Sequence, residues 1–205
     1  MRVKLKHLGL LALFLAAFGL VAATTAIRHG FSARDKPSAL EAMVATSVRS
    51  LAVPSHAKAL VNPVSNTPEN LAQAKAHWAD HCASCHANNG SGDTVIGRNL
   101  YPKAPDMRLA ATQNQTDGEL YYTIENGVRL TGMPAWGEGG DRDEDSWKLV
   151  LFIRYLPKLS AQEEQLMEQM NPKSAEDRAE EQEEEKFLNG GQAPPVNDQP
   201  QKHHH

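Results

Sequence analysis

Cys82-Ala83-Ser84-Cys85-His86 is the stretch on which the reading of this 205-residue chain turns. Two thiols three positions apart lie on one face of a helical turn. Both sulfurs can then reach the edge of one flat macrocycle while the next residue points at its centre. The run is the attachment signature of a haem c, with Cys82 and Cys85 as covalent tethers and His86 as an axial iron ligand. Two rival chemistries use the same cysteines. A zinc site wants four ligands, and a chain with two cysteines must complete the set with His77 and His81. A thioredoxin-like dithiol wants a βαβ setting, and none surrounds this motif.

Working outward, Thr67-Pro68-Glu69 reads as a helix start, with Thr67 as N-cap and Pro68 in the first helical position. That helix is expected to run through Leu71, Ala74 and Trp78 to the motif and to stop at Asn88-Asn89-Gly90. Thr116-Asp117-Gly118-Glu119 opens a second helix with Leu120, Tyr121 and Ile124 inward, ended by Asn126-Gly127. A third opens at Ser146-Trp147 and carries Leu149, Val150, Phe152, Ile153, Tyr155 and Leu156 until Pro157 stops it. Between the last two lies Arg129-Leu130-Thr131-Gly132-Met133-Pro134-Ala135-Trp136.

Residues 67–160 resemble the class I cytochromes c. The resemblance rests on C-x-x-C-H, on Trp78 four residues before Cys82, on the Gly132-Met133-Pro134 loop and on the final apolar helix. It implies an all-α class I cytochrome c fold around one covalently bound haem, with the last helix crossing the first and Phe152 or Tyr155 meeting Trp78. It also implies that Met133, 47 positions after His86, is the second axial ligand. Met107 is the rival sulfur. Arg98 stands where the family often has a proline whose carbonyl accepts the proximal imidazole's hydrogen bond, so a carbonyl near Pro102 or Pro105 is expected to take that role. Arg98, Tyr101 and Arg108 are candidates for the haem propionates, with a surface role as the plainer reading.

The flanks differ from this domain in character. Residues 1–66 carry eight Lys/Arg against two Asp/Glu, residues 67–160 nine against twelve, and residues 161–205 four against eleven. A net charge of −4 and the lack of a basic globular region argue against nucleic acid as a partner. Residues 1–27 form a signal anchor or signal peptide. Arg2, Lys4 and Lys6 precede an uncharged stretch from Leu8 to Ile27, whose length favours a retained single-pass anchor with the N-terminus cytoplasmic. Small residues at 21–26 keep a cleaved, periplasmic form open. Residues 28–66 read as a stalk or linker with a short amphipathic helix, whose stripe of Leu40, Met43, Val44, Val48 and Leu51 can dock on the haem domain, the membrane surface or a partner, docking on its own domain being the plainer expectation. Pro54, Pro63 and Pro68 mark extended linker. Residues 161–205 read as an acidic, largely disordered tail, with 161–186 a solvated helix or disordered and 189–205 disordered by composition, and no role is assigned to its terminal histidines.

Resemblance to cytochromes c implies a one-electron carrier rather than an enzyme, holding a single haem c and its iron and working in a respiratory-type chain. The haem domain is expected in the periplasm at the bacterial cytoplasmic (inner) membrane, with redox proteins in or at that membrane as partners. Two alternatives stand beside it. One makes the chain a haem subunit of a dehydrogenase or oxidase complex. The other, a haem peroxidase or small-ligand sensor, requires Met133 to leave iron.

Overall fold

The computed structural model describes residues 5–29, 32–140 and 142–173, together with 179, 182, 183, 185, 186 and 188. Among these residues regular structure is helical and no strand forms. The expected all-α fold is what the sequence builds.

Helix α1, Leu5–His29, contains a segment at 6–25 long and apolar enough to cross a membrane, with none of it buried against protein. Helix α2, Ala39–Ala52, is capped by the Ser38 side chain, which accepts from the Glu41 N–H at 3.2 Å. The docking expected of its apolar stripe does not occur. No residue of α2 is buried, and Leu40, Met43, Val44, Val48 and Leu51 are all exposed.

The segment from Val53 to Pro68, read as extended linker, instead packs. A short helix α3, Ser55–Lys58, buries Ala57, and Val53 is buried beside it. Proline spacing alone did not reveal this, because the anchoring comes from long-range contacts. Asn62 Nδ2 donates to the Trp147 carbonyl at 2.9 Å, and a Cβ on Gly118 would stand 1.9 Å from the Ala57 carbonyl oxygen.

The core is assembled from three helices and the turns between them. Helix α4, Pro68–His77, starts as expected, with Thr67 Oγ1 accepting from the Asn70 N–H at 3.2 Å. A π-helical turn, Trp78–Cys82, follows, and then α5, Ala83–His86. Short helices α6, Val95–Asn99, and α7, Ala110–Gln113, lead to α8, Asp117–Asn126. Thr116 and Glu119 close a reciprocal capping box on α8, which satisfies two backbone N–H groups that the first turn leaves free. Helix α9, Glu144–Tyr155, packs along α4 and passes into a 3-10 turn at Leu156–Lys158.

Trp78 meets Phe152 edge to face with ring centroids 5.2 Å apart, the helix contact that the resemblance implied. Tyr121 stacks on Trp147 at 4.0 Å. Arg154 of α9 clamps the turn before α8, bonding the Asp117 carboxylate and the carbonyls of Gln113 and Gln115.

Beyond Pro157 the acidic segment begins with structure. Helix α10, Ala161–Glu168, is capped by Ser160 and Glu163 and buries Met167 in the core cluster. The reading of disorder for residues 189–205 falls outside the described residues.

Candidate functional site

The C-x-x-C-H segment sits where the first helix changes pitch. The π turn carries Trp78, Ala79 and Cys82, and π turns inside α-helices often mark functional positions. Trp78 is buried and donates from Nε1 to the Ala87 carbonyl at 3.0 Å. Ala87 ends α5 with φ of 60°, a conformation unusual for a residue with a side chain. The Trp78 hydrogen bond therefore secures the backbone one residue beyond His86.

Other bonds fix the same end of the helix. Gly92 N–H donates to the His86 carbonyl at 2.9 Å. Thr94 Oγ1 donates to the Ser84 carbonyl at 2.8 Å and accepts from the Gly97 N–H at 2.8 Å. A Cβ on Gly97 would lie 2.2 Å from the Cys85 carbonyl oxygen, so only glycine lets α6 approach this closely. Helix-end carbonyls that would otherwise be orphaned are thus met from the following loop.

His86 is 8 % exposed, its ring 5.8 Å from Trp78. Its Nδ1 is buried without a hydrogen-bond partner. The expected bond to a carbonyl near Pro102 or Pro105 does not form. Burial also lowers the imidazole pKa below its usual value, favouring the neutral ring that a metal ion requires.

Cys82 and Cys85 are both unbridged and partly buried. Burial, reinforced by the neighbouring Cys85, pushes the Cys82 thiol up to about 12. Zinc ligation and dithiol exchange both use thiolates, and burial of Cys82 disfavours its thiolate. Among the described residues no group of three or more His, Cys, Asp or Glu side chains is placed to hold a metal ion. His77 and His81 instead meet edge to face, with ring centroids 4.9 Å apart.

Gly132-Met133-Pro134 lies in a loop folded back onto the end of α8. Val128 N–H donates to the Met133 carbonyl at 3.1 Å, and Met133 N–H donates to Thr131 Oγ1 at 3.1 Å. Trp136 and Gly137 N–H groups bond the carbonyls of Ile124 and Glu125. Gly127, with φ of 64°, sits against the Met133 carbonyl and the Ala135 nitrogen, where a Cβ would clash. Leu100 packs on Gly132, bringing the segment after α6 to this loop. Met133 itself is half-buried. Met107, its rival, packs against the hydrophobic core while its backbone bonds Gly90 and Gln113.

A family model described as Cytochrome C oxidase, cbb3-type, subunit III matches residues 69–153. This region is a class I c-type cytochrome domain. No curated protein matches the chain. A cytochrome c domain is a haem-binding module for electron transfer, and the residues present fit that group. The buried His86 imidazole, unpartnered at Nδ1, stands beside the two unbridged thiols of Cys82 and Cys85.

Other side chains of the cytochrome domain engage one another at its surface. The propionate candidates have local partners: Arg98 pairs with Asp93 at 2.5 Å, Arg108 with Asp106 at 2.7 Å, and Tyr101 donates to Glu41 of α2. His81, singled out in the sequence only as a possible zinc ligand, packs against Trp136 at 5.5 Å and joins the haem-motif helix to the Met133 loop. Both residues stand in the sequence, but nothing in their spacing pairs them across 55 positions. The Trp78 bond to Ala87 was likewise hidden, since an aromatic at that position reads as packing.

Proposed function

We propose that the cytochrome domain carries one electron at a time on a single haem c, attached through Cys82 and Cys85 and ligated by His86 and Met133. The observation that carries this reading is the buried His86 imidazole, neutral and unpartnered at Nδ1, on a helix end held rigid by Trp78, Gly92 and Thr94. When bound, the haem supplies reversible one-electron exchange at iron. The chain's own work is to fix the imidazole, exclude water and hold the methionine loop. The hydrogen bonds that Trp136 and Gly137 donate to α8 carbonyls, with that from Val128 N–H to the Met133 carbonyl, support Met133 as a preset sulfur rather than a mobile one.

Thioether ligation favours ferrous iron and so raises the reduction potential. Saturation of both axial positions leaves no place for a substrate, which makes the protein an electron carrier and not an oxygen-activating enzyme. Helix α1 supports a tether to the cytoplasmic membrane, with the haem domain on the periplasmic side and membrane redox proteins as partners. In Met133→Ala, the ferric sulfur-to-iron charge-transfer band should vanish and the potential fall. Retention of both would remove Met133 from the site.

A second reading has its own support. The matching family model is named for subunit III of a cbb3-type cytochrome oxidase, so the same electron transfer can serve as a fixed relay in an oxidase complex. Mild-detergent extraction distinguishes them. A free carrier elutes alone, and a subunit elutes with oxidase polypeptides.

A further inference from the structure

Helix α2 presents an apolar face that its own domain leaves uncovered. Leu40, Val44, Val48 and Leu51 fall on that face at helical spacing, with Leu51 83 % exposed. The polar edges of the helix are engaged. Glu41, its one acidic residue, accepts a hydrogen bond from Tyr101 of the cytochrome domain, and the Ser50 carbonyl accepts one from Lys58 Nζ at 2.6 Å. The helix is thus bound to the domain by its edges while its stripe faces away.

We propose that this stripe lies in the outer headgroup and acyl boundary of the membrane that α1 crosses, so that α2 is an interfacial helix setting the orientation of the haem domain. The proposal rests on the anchor reading of α1. Two features select lipid as the occupant. Nine residues separate His29 from Ala39, a span of at most about 35 Å, so α2 starts within reach of the surface where α1 emerges. Arg28, Arg34 and Lys36 stand between or beside the two helices against a single acid, Asp35, and this excess of positive charge suits anionic phospholipid headgroups. With α2 on the surface, the bond from Tyr101 to Glu41 turns the 100–101 segment toward the bilayer. Leu100 touches Gly132, so the Met133 loop is carried toward partners within the membrane.

The test uses full-length holoprotein in nanodiscs of phosphatidylethanolamine and phosphatidylglycerol. Val44→Cys and Arg49→Cys are spin-labelled singly, Cys82 and Cys85 being taken up by the haem. Position 44 should collide with dissolved oxygen several-fold more than position 49, and with a water-soluble nickel chelate several-fold less. Equal access of the chelate to both positions overturns the proposal. Dipolar broadening between labels at 44 on two copies would assign the face to a second copy and overturn it too.

Mass spectrometry of the mature protein separates failure of the anchor reading from failure of this one. If residues 1–27 are cleaved off, the mature holoprotein is spun down with vesicles of the same lipids. Binding that Val44→Asp with Leu51→Asp reduces by at least about tenfold then sustains the interfacial helix. Binding that is absent or unchanged by the pair overturns it. Both positions are exposed, so the haem absorbance of the variant should match that of the parent.

Discussion

Trp78 shows how one side chain serves two ends. Its ring fills the contact with Phe152, and its indole N–H holds Ala87 in a positive-φ conformation directly after His86. Trp78→Phe retains much of the packing but leaves the Ala87 carbonyl without its donor. A loss of about 1 kcal/mol in chemical denaturation is expected, together with a shift of the haem absorption that a purely packing role would not cause. Phe152→Ala removes the other side of the contact and should cost about 3–5 kcal/mol by the same measurement. Both rings were legible in the sequence as core. The hydrogen bond was not, since helical spacing says where an indole lies and nothing about where its N–H points. The unpartnered Nδ1 of His86 escaped the sequence for a related reason: family likeness supplied a bonding partner that the local backbone does not provide.

At the scale of elements, capping chemistry was readable and docking was not. Thr67, Thr116 and the Gly127 stop each stand where turn chemistry put them. Helices α2 and α3 went otherwise, and α10 docks on the core rather than standing solvated, because a helix's neighbours depend on contacts far along the chain. Gly118 gives a sharp test of α3. A methyl group there meets the Ala57 carbonyl, so Gly118→Ala should destabilise the domain by about 1–3 kcal/mol in a thermal melt, although alanine favours helix elsewhere. Helix α10 is held by Glu163, which accepts from Lys75 at 2.6 Å and from Tyr155 at 2.8 Å. The Lys75 ammonium, aided by the Ser160 N–H, draws the Glu163 carboxyl down to about 2, against an ordinary 4.5. A carboxylate stabilised in the folded state adds stability above its unfolded value and loses it as pH falls through the folded one. The protection factors of the α10 amides, which correct for the intrinsic exchange rate at each pH, should therefore fall between about pH 4.5 and pH 2, and Glu163→Gln should remove most of that pH dependence. The acidity of residues 161–205 concealed this, since a solvated face and a docked helix share the same composition.

The whole molecule joins an apolar N-terminal helix, an exposed amphipathic helix and a cytochrome domain that begins to pack at Val53 and still buries Met167. So small a globule gains much of its apolar interior from the haem itself. Replacing both Cys82 and Cys85 by alanine should leave the haem extractable by acid and organic solvent. It should also lower the melting temperature by more than about 10 °C, since each kcal/mol shifts a domain this small by about 4–8 °C. An unchanged melt would mean that the protein core stands without the cofactor. The class of fold followed from residues 82–86 and three helix patterns, while the way the helices join methionine loop to haem motif needed the pairing of His81 with Trp136. Electron transfer through a saturated iron is the central claim, and an optical spectrum of the membrane-extracted holoprotein, ferric and ferrous, with and without carbon monoxide, tests it most directly. A ferric sulfur-to-iron charge-transfer band and no ferrous response to carbon monoxide are the expected results. A high-spin ferric spectrum with ready carbon monoxide binding would contradict the account and make the protein a ligand-binding haem enzyme or sensor.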